Sequence, residues 1–354
     1  MTVPGSDVEL RCVFARLGFI TSSPNVTSVL QRAYKAAHVS DVTVLLEGET
    51  GTGKQVLAQA IHRLDRKRSS FPLVTVHCST IAEALAESEL FGHQRGAFSG
   101  AIVERKGLFQ SAEHGTLFLD DVNDLPLNLQ PKLLDVIQRG TVRPVGSDRE
   151  LRLDVRIIAA CNRPLEGLVR EGRFRSDLFH RLNVVKLALP PLRERPEDLS
   201  GLILTFANRH GSLYGPIEKV DGQLLNHLST KTFLGNVREL ENAVQRMLFL
   251  KTDGASLGIG DWRAQSGPEN PEADSDLFSD AANAAWKIIS MRGIPYTQAF
   301  QEIEKRVLET AIKVHGPTRR EIAQRMHTSE RTLYYKLKAR GINGTTSNPE
   351  DRVA

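Results

Sequence analysis

The stretch from Val42 to Ala60 reads VTVLLEGETGTGKQVLAQA and decides the fold. Its first five residues are mostly apolar and β-branched, which predicts a short buried strand. A loop with three glycines, Gly48 to Lys54, follows at once, and the next apolar residues recur at helical spacing. A strand, a glycine loop and a helix in this order are typical of a phosphate-binding loop. The sequence therefore predicts an α/β domain that binds a nucleotide at the start of this helix.

Each part of the loop has a physical role in binding phosphate. Glycines let backbone N–H groups turn inward without a Cβ clash, and the helix start adds unpaired N–H groups and partial positive charge. Lys54 supplies a full charge for the β and γ phosphates. The alternative, a glycine loop with no ligand, is disfavoured by the flanking strand and helix. The predicted cofactor-binding residues of the loop are Gly48, Glu49, Thr50, Gly51, Thr52, Gly53, Lys54 and Gln55.

Composition sets broad limits on the class of protein. The chain has 354 residues, of which 40% are hydrophobic and 25% charged, so it has room for two or three globular domains. The net charge of +4 is compatible with a nucleic-acid partner without requiring one. Three scattered cysteines lack the spacing of a metal site or a disulfide framework. Without a long apolar run or a signal peptide, the expected location is the cytoplasm.

Two acidic residues end a later strand of the same domain. The further strands predicted in this domain cover residues 73–76, 115–119 and 154–161. Asp120 and Asp121 follow the second of these strands, and Asn162 follows the third. Because ligands of open α/β sheets bind at the carboxyl ends of strands, the acidic pair can hold Mg²⁺ and polarise a water molecule. The alternative is a solvated turn.

Two other segments surround this predicted core. Residues 92–101, GHQRGAFSGA, break a helical pattern and predict an exposed loop with Phe98 at its tip, although a plain surface turn is an equal alternative. Residues 197–251 have the periodicity of helices and form a predicted lid.

The C-terminal part changes composition. Residues 265–282 carry five acids and no Lys or Arg, which predicts a flexible linker. Residues 300–312 have one apolar helical face, and two short helices are predicted at 318–326 and 329–339 around a turn at His327 and Thr328. Seven Lys or Arg and two Glu lie in residues 316–341, which favours a helix-turn-helix that binds DNA over a basic hairpin that binds nothing.

Taken together, these motifs resemble the AAA+ activators of sigma-54 RNA polymerase, also called bacterial enhancer-binding proteins. The resemblance covers about residues 18–250, with a Fis-like helix-turn-helix at the end. Its signatures are GETGTGKQ (48–55), ESELFGHQRGAFSGA (87–101), GTLFLDD (115–121), EGRFRSDLFHRLNV (171–184), LPPLRER (189–195) and FLGNVRELENAV (233–244). In this family a residue without a hydroxyl commonly follows the lysine, as Gln55 does here.

The resemblance implies a role for each matching residue. Lys54 would bind phosphate, Asp120 would organise Mg²⁺ and water, and Asn162 would sense the γ-phosphate. Arg175 and Arg181 would reach across a subunit interface as arginine fingers, and Arg238 would contact the nucleotide from the lid. The implied polymerase contacts are Gly96, Ala97, Phe98, Ser99, Gly100 and Ala101. The implied DNA contacts are Ser329, Arg331, Thr332, Tyr335 and Lys336.

Fingers supplied by a neighbouring subunit imply a ring, for which the family suggests six copies. The implied cofactors are ATP and Mg²⁺. The implied partners are sigma-54 RNA polymerase, upstream double-stranded DNA, and further copies of this chain or a paralogue. With almost nothing before residue 18, the usual regulatory domain is expected to be missing. Control would then come from expression level, an inhibitory protein or a partner subunit.

Several positions depart from the family pattern. Ser99 replaces Thr, Leu234 replaces Pro, and Asp121 replaces a Glu that is thought to position the attacking water. His77 replaces an Asn that couples the hydrolytic site to the polymerase loop. One hypothesis is that His77 reaches the shortened Asp121 carboxylate as a matched change. Independent drift is the alternative, and both place His77 and Asp121 among the catalytic residues.

The predicted fold class is an α/β P-loop AAA+ domain with a helical lid, plus a small all-α helix-turn-helix domain. The predicted parts are a tail (1–17), the α/β subdomain (18–188), the lid (189–255), an acidic linker (256–296), the DNA-binding domain (297–345) and a second tail (346–354). The expected function is ATP-dependent activation of sigma-54 polymerase. The alternatives are a weakly hydrolysing co-activator that needs a paralogue and, less favoured, a remodeller unrelated to transcription.

Overall fold

The computed structural model of the chain consists of two compact units. The first ends at Gln265 and the second begins at Ser266. The structure describes residues 4–80, 83–98, 100–211, 215–251, 254–265, 296–315, 322–323, 326, 330–340 and 342. Within this described part of the chain, no helix is long and apolar enough to cross a membrane.

A parallel five-stranded sheet is the centre of the described first unit. Its strands are β1 (Val44–Glu47), β2 (Leu73–His77), β3 (Thr116–Asp120), β4 (Arg156–Cys161) and β5 (Val185–Ala188). They lie in the order β2-β3-β4-β1-β5, and each neighbouring pair is parallel. The sequence pattern predicts the first four strands but not β5, which lies where that pattern loses its α/β alternation.

Helices cover both faces of the sheet. They are α1 (Asp7–Arg16), α2 (Pro24–Ala37), α3 (Lys54–Leu64), α4 (Glu83–Phe91), α5 (Leu108–Ser111), α6 (Gln130–Arg139), α7 (Leu165–Arg170) and α8 (Ser176–Leu182). Successive strand residues point to opposite faces, so Leu45 packs into one hydrophobic cluster while Val44 and Leu46 pack into the other. Because helices bury both faces, the three central strands β1, β3 and β4 are buried along almost their whole length rather than on one face only.

Helix α1 corrects the prediction of an N-terminal tail. Ser6 caps the helix by accepting a hydrogen bond from the Glu9 backbone N–H at 3.3 Å. Leu10 and Phe14 are buried in the same cluster as Val26 of α2. Residues 7–16 therefore belong to the α/β subdomain, because burying their apolar side chains outweighs the tendency of a chain end to fray.

Two short strand pairs and two 3₁₀ turns, the second of them at the start of the lid, complete the first unit. The antiparallel pairs are Gly92–His93 with Arg105–Lys106 and Thr141–Val142 with Leu151–Arg152. The 3₁₀ turns are Val122–Asp124 and Leu192–Glu194. The first strand pair forms the base of the loop that carries Phe98.

The predicted helical lid is present and is longer than expected. It contains α9 (Asp198–His210), α10 (Gly222–Ser229), α11 (Asn236–Leu250), α12 (Ile259–Gln265) and the short parallel strands Lys219–Val220 and Ser256–Leu257. Ile259 and Trp262 of α12 pack against the hydrophobic cluster of the lid. The linker therefore does not begin at residue 256, because residues 256–265 belong to the lid.

The second unit contains α13 (Tyr296–His315) and α14 (Glu330–Ala339). Leu333 and Leu337 of α14 are buried with Leu308 of α13, as the sequence pattern predicts. Val307, which the pattern places on the same apolar face, is 51% exposed instead. The predicted turn at His327 and Thr328 lies outside the described residues.

Candidate nucleotide site

The predicted site residues meet at one edge of the sheet. The phosphate loop follows β1, His77 ends β2, Asp120 ends β3, and Asn162 follows β4. Parallel strands place all these carboxyl ends at the same edge, beside the point where the strand order reverses around β1. Residues far apart in sequence are thereby gathered around one loop.

Lys54 lies at the centre of this site. It begins α3, and its Nζ donates hydrogen bonds to the backbone oxygens of Gly48 at 2.6 Å and Glu49 at 3.1 Å. Burial lowers the pKa of the Lys54 ammonium, and the nearby carboxylates of Asp120 and Asp121 oppose that shift. The loop thus holds a cation that faces the acidic pair.

Two glycines of the loop are fixed by close contacts. Gly51 has φ +80°, and a Cβ there would lie 2.1 Å from the backbone oxygen of Gly235. Gly53 has φ +105°, and a Cβ there would lie 3.2 Å from the ring of Phe19. Side chains at these positions would be both strained and obstructed. The absence of side chains at Gly51 and Gly53 lets Gly235 and the Phe19 ring pack directly against the loop backbone.

The two acidic residues have different surroundings. Asp120 Oδ1 accepts a hydrogen bond from the Asp121 backbone N–H at 3.1 Å. Asp121 is left-handed with φ +51°, and its Oδ1 accepts from Nδ2 of Asn162 at 3.2 Å. The Asn162 backbone N–H donates in turn to Oδ1 of Asn123 at 3.2 Å. Asp121 is therefore oriented by the residue that follows β4.

His77 contacts Asp120 rather than Asp121. Its Nδ1 lies 3.3 Å from Oδ2 of Asp120. The two residues are register partners at the ends of β2 and β3. The left-handed turn at Asp121 directs the second carboxylate toward Asn162 instead. The hypothesis of a matched His77–Asp121 contact is therefore wrong in its pairing.

This pairing predicts which double-mutant cycle on the ATPase rate shows coupling. Side chains in contact usually couple by about 0.5–3 kcal/mol, whereas side chains without shared partners usually add within about 0.5 kcal/mol. We expect Asp121→Ala and Asn162→Ala to be coupled, and His77→Asn and Asp121→Glu to be additive. Steady-state ATPase rates of the single and double variants measure both terms. Recovery of activity in the second double variant would restore the matched-pair hypothesis.

The acidic edge also suits a magnesium ion that arrives with a nucleotide. Mg²⁺ is usually held by one or two carboxylates, water and substrate phosphates rather than by an all-protein cage. The described residues contain no group of three or more His, Cys, Asp or Glu placed to bind a metal by themselves. Burial raises the pKa of the Cys78 thiol to about 12, so this thiol stays protonated beside the acids. Asp120, whose carboxylate acts on the Lys54 ammonium from the end of β3, stays the predicted oxygen ligand.

The two predicted arginine fingers lie on the surface. Arg175 donates from Nε and an Nη to both carboxylate oxygens of Asp177, at 3.0 and 2.7 Å. Its backbone N–H donates to Oε1 of the buried Gln130 at 2.8 Å, which fixes the start of α8. Arg181 lies in the last turn of α8 and is exposed. Both side chains are therefore available to a neighbouring molecule.

The lid helix α11 begins directly against the phosphate loop. The Val237 backbone N–H donates to the backbone oxygen of Gly51 at 3.0 Å. Arg238, predicted to contact the nucleotide, is exposed in the first turn of α11, next to Gly51. Sequence reasoning identified Arg238 but missed the buried Asn236 and the Arg193–Glu49 pair. Arg193 and Glu49 are 144 residues apart, so no local sequence signal indicates that pair.

The predicted polymerase loop is a tight turn with an exposed aromatic ring. The Gly96 backbone N–H donates to the Ala101 backbone oxygen at 2.8 Å, closing the turn. Phe98 is 40% exposed, and its ring meets the ring of His93 edge-on with centroids 5.0 Å apart. Gly100 has φ +111° and open space around it. Ser99 lies outside the described residues.

In the second unit, the predicted DNA-contacting residues share one face of α14. Arg331, Thr332, Tyr335 and Lys336 are exposed. Lys336 Nζ donates to Oε1 of Glu304 on α13 at 2.9 Å. Ser329 lies outside the described residues.

Family comparisons match this architecture. A model of the sigma-54 interaction domain matches residues 19–188, and a model of the AAA+ ATPase lid domain matches residues 193–275. The second match agrees with a lid that continues beyond residue 255.

Individual relatives give the same result. The chain is 36% identical over 330 residues to the regulatory protein AtoC of Escherichia coli K12, covering 92% of this chain and 68% of AtoC. It is 49% identical over 221 residues to the transcriptional activator HyfR of the same strain, covering 62% of this chain and 33% of HyfR. It is 48% identical over 252 residues to the anaerobic nitric oxide reductase regulator NorR of E. coli O157:H7, covering 70% of this chain and 49% of NorR. The match thus spans between a third and about two thirds of these relatives.

A solved structure is also similar. The structure of NtrX from Brucella abortus in complex with ATP has a TM-score of 0.62 and 27% identity to this chain. The structural alignment covers 91% of this chain and 69% of the NtrX chain.

Proposed function

This chain belongs to the family of sigma-54-dependent transcriptional activators, and we propose that it uses ATP hydrolysis to remodel sigma-54 RNA polymerase. The observation that carries the proposal is the sheet edge that gathers Lys54, Asp120 and Asn162 around the phosphate loop. A buried ammonium opposite carboxylates can bind a phosphate chain together with its metal.

Within this site the residues divide the chemical work. Lys54 and the backbone N–H groups of the loop bind the phosphates. Asp120 would hold the metal, and His77 beside it would keep the Asp120 carboxylate oriented. Asp121 and Asn162, which are hydrogen-bonded to each other, would position the water molecule that attacks the terminal phosphate. Bound Mg²⁺ would neutralise charge that develops on the phosphate oxygens.

We propose that the ATPase is completed by assembly into a ring. Arg175 and Arg181 are exposed, and the family resemblance assigns them to a neighbour's nucleotide. Fingers supplied from another subunit stabilise transition-state charge. A head-to-tail interface that repeats itself closes into a ring, for which six subunits is our proposal.

The loop around Phe98 is the proposed contact with sigma-54. Gly96, Ala97, Gly100 and Ala101 shape a tight turn that exposes the Phe98 ring. Exposed aromatic side chains are frequent anchors of protein interfaces. Movement of this loop during hydrolysis would deliver force to the polymerase.

The second unit is the proposed DNA-binding domain, with α14 as its recognition helix. We expect Arg331→Ala combined with Lys336→Ala to weaken binding to an upstream promoter site, with ATPase activity unchanged. Removing one side chain that binds a DNA phosphate should flatten the log–log salt dependence of binding by about one unit. Fluorescence anisotropy at several salt concentrations measures this slope.

Lys313→Ala is the matched control for this prediction, since Lys313 is exposed on α13 and carries the same charge. It should change the salt slope less than the double α14 variant does. Equal DNA affinity of the double variant and the unaltered protein would show that α14 does not face DNA.

A co-activator that hydrolyses ATP weakly is the second candidate. It is favoured by the Asp121 carboxylate, which is one methylene shorter than the usual Glu and is hydrogen-bonded to Asn162. A misplacement of about 1 Å can cost on the order of 100-fold in rate. ATP turnover by the purified protein alone, followed by open-complex formation with sigma-54 polymerase, separates the two candidates. Absence of open complexes under any ATP concentration would refute the leading proposal.

A further inference from the structure

Asn236, the first residue of α11, connects three segments of the first unit. It is fully buried, with 0% exposure, and has a left-handed φ of +53°. Its Nδ2 donates to Oε2 of Glu49 at 3.1 Å and to the backbone oxygen of Thr50 at 3.0 Å. Its Oδ1 accepts from the Leu192 backbone N–H at 2.8 Å. One side chain thus joins the phosphate loop, the turn before α9 and the lid helix.

The Glu49 carboxylate is the shared partner in these contacts. Arg193 donates to both of its oxygens, at 2.9 and 2.7 Å. The hydrogen bond from Arg193 is the largest cause, followed by that from Asn236, of a Glu49 pKa lowered to about 2. Glu49 therefore remains an ionised acceptor near neutral pH, and both partners keep their hydrogen bonds.

Neighbouring residues extend the same connection along the loop. The buried Arg195 donates to the backbone oxygen of Thr52 at 2.7 Å, and Val237 donates to that of Gly51 at 3.0 Å. Residues 193, 195, 236 and 237 of the lid thus form hydrogen bonds to four successive residues of the phosphate loop, 49–52. Asn tolerates the left-handed backbone of position 236 better than most residues do. An Asn at this position can therefore adopt the backbone conformation and also supply the side-chain hydrogen bonds.

We infer that Asn236 is a positioning residue that, with Glu49 and Arg193, holds α11 on the phosphate loop and so places Arg238 beside the nucleotide. The inference rests on the proposed ATPase function. Arg238 lies two residues after Asn236 in the same helical turn, so its direction follows from how the helix begins. A nucleotide that moves the loop backbone must therefore move the lid with it.

Asn236→Gly is the sharpest test, because glycine keeps the left-handed backbone while removing all three side-chain hydrogen bonds. We expect ATP affinity, measured by calorimetry, to fall roughly tenfold or more, as for the loss of two or three hydrogen bonds. Arg238→Ala should weaken affinity as well. The double variant should be no weaker than the weaker single variant, because Asn236 acts through Arg238.

Two further measurements separate positioning from general stability. Amide hydrogen exchange of the nucleotide-free Asn236→Gly protein should rise in residues 49–53 and 235–240 and stay unchanged in β3 and β4. Asn242→Gly is the matched control, since Asn242 is exposed on the same helix. It should leave ATP affinity unchanged, although glycine in the helix interior weakens the helix.

Arg193→Gln tests the inference at an exposed residue, where a substitution is not expected to cause misfolding. Arg193 is on the surface, with 40% of its side chain exposed. The Arg193→Gln variant should also reduce ATP affinity, and this test stays available even if Asn236→Gly does not fold. Additive losses in the Asn236–Arg238 pair, or unchanged affinity in Arg193→Gln, would overturn the positioning role. If the unaltered protein does not bind ATP, the proposed function fails together with the inference.

Discussion

Lys54→Ala is expected to abolish ATP binding and hydrolysis while the protein stays folded. The ammonium is buried beside Asp120 and Asp121, so it brings the full positive charge of the phosphate loop to the acidic edge. Each charge-assisted hydrogen bond to phosphate is worth about 1.5–3 kcal/mol, so losing two weakens binding by more than about 100-fold. Calorimetric titration with ATP measures this change in affinity.

Two comparisons make this result specific. Lys35→Ala removes an exposed lysine from α2 and should leave ATP affinity unchanged. Asp120→Ala should retain binding but lose turnover, because it removes the proposed metal ligand and leaves the phosphate loop intact. Hydrolysis at the unaltered rate in Lys54→Ala would show that the nucleotide site lies elsewhere.

Arg175→Ala and Arg181→Ala should each reduce ATP turnover by roughly 10³-fold or more, as expected for arginine fingers supplied in trans. Their own affinity for ATP should change little, because each finger would act on a neighbour's nucleotide. Mixing either variant with Lys54→Ala protein should restore part of the turnover. In a mixed ring, an intact site from one chain meets an intact finger from the other.

The neighbouring Arg173 gives this experiment a control. Arg173 is also exposed and lies two residues earlier, but its pairing is with Glu171. Arg173→Ala should therefore keep turnover within a small factor of the unaltered rate. No recovery at any mixing ratio, with rings present by light scattering, would contradict shared sites.

Much of the site could be predicted because its chemistry follows local sequence patterns. A strand, a glycine loop and a helix place Lys54 without knowledge of other segments. Asp120 and Asn162 come directly after apolar strands, and the general rule for parallel sheets brings such strand ends to one edge. The inward Leu333 and Leu337 of α14 follow from helical spacing alone.

The features that were missed depend on contacts between distant segments. The pairing of His77 with Asp120 follows from strand register and from a left-handed turn at Asp121, and neither is visible in composition. Strand β5 is short and lies close to a proline-rich stretch, so its pattern is weak. Asn236 and Glu49 are 187 residues apart, and only the folded lid brings them together.

The edge of the sheet has a consequence for folding as well as for chemistry. The site takes one part from each of four strand ends, so a chain with any one of β1 to β4 unpaired has no complete site. A ligand that binds there stabilises only the fully paired sheet, and mass action then raises the melting temperature as ligand concentration rises. At 100 times its dissociation constant, such a ligand adds about 2.7 kcal/mol to the free energy of unfolding. The cellular nucleotide pool would then protect the newly made chain against unfolding and proteolysis before it meets any polymerase.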